Sequence, residues 1–197
     1  MRLGERLPDS VSAGGRRYRC DFDFRRVLAL IDELRDEDVL FEARMYRALR
    51  HIMRRPPKDD VKCAQLYQAV RAVLFPGADQ KTDAKKLTDF DQDADLIRAA
   101  FLQEYGIDLW TERVHWLKFT ALLAGLPEGS RYADVLGIRA RPMPKATKWN
   151  QAEREWLQKA KAQYALQMTD EEKARAYDRA VLDIFHALVN KAGGNHG

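Results

Sequence analysis

The sequence predicts a mainly α-helical fold: a multi-helix bundle with a small N-terminal β-hairpin and a C-terminal helical hairpin. Three observations carry that expectation. Apolar residues recur at helical spacing through most of the chain, and one central stretch is apolar almost all round. Period-two alternation around paired glycines occurs convincingly only near the N-terminus.

Leu7 to Cys20 reads as the hairpin, because Ser10-Val-Ser and Arg17-Tyr-Arg-Cys alternate around Ala13-Gly14-Gly15-Arg16. A lone hairpin is marginal in water, so it is expected to lie on helices or to join another chain's sheet, its exposed edges forming an assembly surface. From Asp23 the period becomes helical. Phe24, Val27, Leu28, Ile31 and Leu34 share one face, with Asp23 as the N-cap. A second helix, about Asp38 to Arg54, is expected to bury Phe41, Met45, Ala48, Leu49 and Ile52 before Pro56-Pro57 stops it. A third, about Asp59 to Leu74, turns Cys63, Leu66, Tyr67, Val70, Val73 and Leu74 inward.

Gly77 to Lys86 is polar and aperiodic and reads as a loop. The fourth helix, about Gln92 to Tyr105, carries Ala94, Ile97, Phe101 and Tyr105 on one face, and Gly106 sits where a left-handed cap belongs. The fifth, about Thr111 to Ala124, holds Val114, Trp116, Leu117, Phe119, Ala121, Leu122 and Leu123, the composition of a helix at the centre of a core. Ser130 opens a short sixth helix, and Pro142 and Pro144 then make an extended connector. Lys145 to Gln167 reads as a charged helix with the apolar line Trp149, Ala152, Trp156 and Ala160. A capping box at Thr169 and Glu172 opens the last helix, with Ala174, Tyr177, Val181, Ile184, Phe185 and Leu188 on one face. The expected division is residues 1–144, hairpin plus helical core, and 145–197, a charged helical hairpin and flexible tail.

At 197 residues the chain is long enough for a core without staples. Cys20 and Cys63 fit no zinc or redox spacing and read as reduced thiols packed as small hydrophobes, which suits a reducing cytoplasm. No signal-peptide apolar region and no run near ~20 apolar residues is present, so neither export by that route nor a membrane span is expected. The formal charge of +4 comes from 34 basic against 30 acidic residues, a balance that describes a salt-bridged surface more than a nucleic-acid footprint.

Asp89, Asp91, Asp93 and Asp95 alternate like the first ligands of a calcium loop. The loop then fails, because Ala94 stands where the turn needs Gly and Ala100 where a bidentate Glu is required. Helix capping is the favoured reading. His115 follows Glu112 within the expected fifth helix, but no second histidine is in register and none of the three serines sits in a nucleophile elbow. The expectation is therefore no enzymatic activity, with no catalytic, cofactor or metal residues. Arg44, Arg47, His51, Arg54 and Arg55 form a basic stripe along the second helix, with Arg50 and Lys58 beside it. It is the best nucleic-acid surface the chain offers, yet no interleaved aromatic or DNA- or RNA-binding motif accompanies it. Trp149, Trp156, Tyr164, Tyr177 and Phe185 can serve as the core of the terminal hairpin or as a partner-docking face, and the sequence allows both.

The stretch from Thr88 to Met143 runs through Asp89-Phe-Asp-Gln-Asp, Phe101-Leu-Gln-Glu-Tyr-Gly and His115-Trp116-Leu117-Lys118-Phe119 to Gly125-Leu-Pro-Glu128 and Arg139. In content and order it resembles the bacteriophage Gp-fifteen family, encoded among phage tail genes. The resemblance is best over Asp89 to Arg139, extends to Leu7 to Leu34, and is weak beyond Pro144. The family pattern has a second tryptophan where this chain has Leu117. The resemblance implies a tail-cluster protein without active-site residues, similar in gene position to tail-assembly chaperones. It implies phage tape-measure or other tail proteins as partners and the host bacterial cytoplasm as location. The rivals are a structural tail or connector component carried in the virion, and a basic helical nucleic-acid-binding protein. The sequence leaves open whether the chain forms a homo-oligomer.

Overall fold

The computed structural model describes residues 4–35, 38–76 and 86–167. Residues 77–85 of the loop expected over Gly77 to Lys86, and the last helix, with Tyr177 and Phe185, lie outside the described residues. Among those described, one two-stranded antiparallel hairpin precedes seven helices, and the fold is mainly α. The strands are β1 (Ser10–Ala13) and β2 (Arg16–Arg19), and the helices are α1 (Phe24–Glu33), α2 (Phe41–Ile52), α3 (Asp60–Leu74), α4 (Ala94–Tyr105), α5 (Trp116–Ala124), α6 (Arg131–Ala140) and α7 (Gln151–Gln163). None of these helices is long and apolar enough to cross a membrane.

The described residues form two compact units: 4–35, 38–76 and 95–134 in the first, and 86–94 with 135–167 in the second. In the first unit, Ala13 pairs with Arg16 across a turn whose Gly14 and Gly15 have φ of 54° and 73°. Two successive positive φ angles make the tight turn that matches strand twist, which is why glycines stand there. β1 packs on α3 and buries Val11, so the hairpin borrows a helical face for its stability.

α1 packs on α2 and α5, and α2 on α3. At the centre, Phe119 of α5 stacks on Phe24 at 4.8 Å and on Phe101 at 5.2 Å between ring centroids, with Trp116 at 5.8 Å. Phe101 and Phe119 are fully buried. Each such side chain stabilises the fold by about 1.5–3 kcal/mol. The Trp116 indole N–H donates to the Leu74 carbonyl at 3.0 Å, and the Tyr105 hydroxyl to the Leu122 carbonyl at 2.8 Å, so neither polar tip is left unmatched. Gly106 caps α4 at φ 65°.

α2, α4, α5 and α7 start later than the apolar period suggests, and Phe41, expected inside, is exposed at the first turn of α2. α5 begins at Trp116 because residues 108–112 close their own turn. The Asp108 carboxylate accepts from the Trp110 N–H and the Thr111 hydroxyl, while the Glu112 carboxylate accepts from the Asp108 N–H. α7 begins at Gln151 because the Asn150 amide accepts from the Thr147 N–H and donates to the Lys145 carbonyl, folding the preceding residues into a turn of their own.

Candidate functional site

In the first unit two helix N-termini meet. Asp23 caps α1, its carboxylate accepting from the Arg25 N–H at 3.1 Å, and His115 caps α5, its Nδ1 accepting from the Leu117 N–H at 3.1 Å. Their backbones are laced antiparallel, the Phe24 N–H donating to Val114 at 2.9 Å and the Trp116 N–H to Phe22 at 2.7 Å. His115 is thus the cap of α5 rather than a residue within it. Because Nδ1 accepts, the ring proton sits on Nε2, which donates to the Pro8 carbonyl at 2.9 Å. Both imidazole nitrogens are spent on holding three segments together.

The charges around this junction are matched. Arg113 grips both oxygens of Asp21 at 2.7 and 2.8 Å, and Arg26 reaches the same carboxylate at 2.9 Å. Burial alone would raise the Asp21 carboxyl, but the Arg113 bond, the Asp23 backbone N–H and the charges of Arg113 and Arg26 outweigh it and hold it below the usual range. Arg25 pairs with Asp23 at 3.0 Å and also donates to the Trp110 and Glu112 carbonyls, tying α1 to the turn before α5. An open groove of about 600 Å³ lies beside the junction, lined among others by Leu7, Arg19, Cys20, Met53, Arg54 and His115. Burial, with the Asp9 charge adding to it and a Val11 backbone bond opposing it, pushes the Cys20 thiol up to about 11. Such a thiol is an inert packing group.

The second unit has its own polar centre, and the aspartate run supplies it. Asp89 accepts from the Asp91 and Gln92 N–H groups at 3.0 and 3.1 Å, capping the turn that leads into α4. Asp93, 1% exposed, accepts from the Asp89 N–H at 3.0 Å and from two nitrogens of Arg139 at 2.7 Å each. Arg139 is itself buried. Two further N–H groups donate to the Leu87 carbonyl at 2.9 Å and the Tyr164 carbonyl at 2.6 Å, and the Arg139 carbonyl accepts from Lys161 at 2.9 Å. The alternating carboxylates therefore cap a turn and supply the acidic half of a buried ion pair. Sequence reasoning singled out both Asp93 and Arg139 without joining them.

α7 buries Leu157 and Ala160, so the apolar line expected through Trp149, Ala152 and Trp156 does not face the core. Trp149 is 94% exposed just ahead of the helix and Trp156 is 54% exposed upon it. Tyr164 is half-buried at the helix end. Of the basic stripe, Arg44 donates to the Leu34 carbonyl at 3.0 Å and lies over Phe41, while Arg47 and His51 approach Glu33 at 3.6 and 3.5 Å. Arg54 and Arg55 are exposed but fall beyond the end of α2, so the stripe is not one continuous helical face.

These features define a mainly α-helical protein with an N-terminal β-hairpin whose polar clusters act as helix caps and joints. The chain belongs to the Bacteriophage Gp15 protein family, whose family model matches residues 3–166. It is thus a phage protein, and membership suggests a structural or morphogenetic role. No curated protein and no solved structure matches the chain.

Proposed function

We propose that this phage protein is a non-enzymatic tail-assembly chaperone that acts in the host bacterial cytoplasm and holds apolar helical stretches of the tape-measure protein until tail-tube subunits enclose them. The observation that carries the reading is the exposure of two indoles, Trp149 just ahead of the charge-rich α7 and Trp156 upon it. Large exposed aromatics ringed by charge are the composition of an anchor that fills a partner's apolar groove. Phage family membership supplies the setting. Charged neighbours such as Glu153, Glu155 and Lys159 keep that face soluble while it waits for a partner.

Quantitative mass spectrometry of purified particles tests the reading. A chaperone leaves the assembled tail and is absent from it. Stoichiometric copies of this chain in washed virions would instead make it a structural tail or connector component.

A further inference from the structure

One strand of the hairpin packs on a helix and the other does not. β1 lies against α3, whereas β2 packs chiefly on β1. The Cys20 N–H donates to the Asp9 carbonyl at 2.8 Å, and this fixes the parity of the ladder. With Val11 opposite Tyr18 and Ala13 opposite Arg16, the pairs 9/20, 11/18 and 13/16 exchange backbone bonds, and the pairs Ser10/Arg19 and Ser12/Arg17 do not. The N–H and C=O groups of Arg17 and Arg19 consequently point away from β1. Among the described residues they meet no backbone partner.

Three of the four residues of β2 are arginines, and all three are exposed. Arg16 lies over the Tyr18 ring at 5.4 Å, and Arg17 donates to Ser10 Oγ at 2.9 Å. A second copy of this strand added to the bare edge would set arginine beside arginine, which opposes pairing. An acidic strand would meet the opposite balance. We propose that the outer edge of β2 receives an extended, acidic segment of a partner protein by strand addition. The register specifies its pattern: carboxylates two residues apart, opposite Arg17 and Arg19, with an apolar residue between them on the Tyr18 face. This surface belongs to the first unit and does not depend on the chaperone reading.

Amide exchange on the full chain, read residue by residue, tests it with two probes: an extended peptide of alternating glutamate and valine, and the same peptide with lysine for glutamate. The acidic peptide should slow exchange at the Arg17 and Arg19 amides, and leave Arg16 and Tyr18, already bonded to β1, little changed. It should bind at least about tenfold more tightly than the lysine peptide, since two like-charge contacts become two ion pairs. Arg17→Glu with Arg19→Glu should reverse that preference, and Arg17→Gln with Arg19→Gln should abolish it. Equal binding of both peptides, or protection that maps away from β2, would overturn the proposal. Protection at Arg17 and Arg19 that grows with protein concentration alone would make the occupant a second copy.

Discussion

Asp93 and Arg139, 46 residues apart in sequence, form a buried two-pronged ion pair that organises the second unit. A guanidinium matches a carboxylate in this way only when both planes are held, and the Leu87 and Tyr164 carbonyls hold the Arg139 plane. Removing one partner strands a charge that water cannot reach. Arg139→Ala and Asp93→Ala should each cost about 3–5 kcal/mol in urea unfolding. The double substitution should cost well under their sum, with a coupling of about 0.5–3 kcal/mol. Arg139→Lys should recover little, because an ammonium cannot make the fork. Additive losses would show that the two side chains act separately.

The His115 cap makes a residue-specific prediction. His115→Ala should cost about 0.5–2 kcal/mol and expose the Leu117 amide to exchange. His115→Asn supplies a carbonyl oxygen in place of Nδ1, so it should keep that amide protected while losing the bond to Pro8. Equal exchange of the Leu117 amide in both variants would remove His115 from the capping role.

Much of the fold was legible. Gly14-Gly15 announced the hairpin because only residues at ease with positive φ make that turn, and Asp23 announced α1 because a carboxylate before an apolar helical period is a cap. The start of α5 was hidden. The turn at residues 108–112 is made by side-chain bonds among Asp108, Thr111 and Glu112, which leave no mark on apolar periodicity. α7 shows a different limit: the expected line runs through Trp149 and Trp156, but Trp149 lies ahead of the helix and Leu157, off that line, is the residue that packs. Periodicity reports that a face is apolar and not what the face meets. The joining of Asp93 to Arg139 depends on tertiary packing that spacing along the chain does not encode.

Acid should weaken the first unit through Asp21. Its folded-state carboxyl is held below the ordinary value, so the unfolded chain takes up the proton first as pH falls. Stability from this group is complete above the unfolded value of about 4 and is lost as pH drops through the lower folded value. Arg113→Ala should raise the Asp21 carboxyl and flatten this part of the acid profile. Carboxyl-carbon NMR titration reads it directly, and native Asp21 titrating at or above the ordinary value would contradict the Arg113 and Arg26 assignment.

The chaperone proposal stands or falls most directly on the soluble yield of the cognate tape-measure protein co-expressed with this chain. The wild-type chain should raise that yield severalfold and co-purify with its partner, with little loss at high salt because apolar burial drives the contact. Trp149→Glu with Trp156→Glu should abolish the gain while leaving the chain folded, since both indoles are exposed. A tape-measure protein equally soluble alone, or equally rescued by the double variant, would contradict the account.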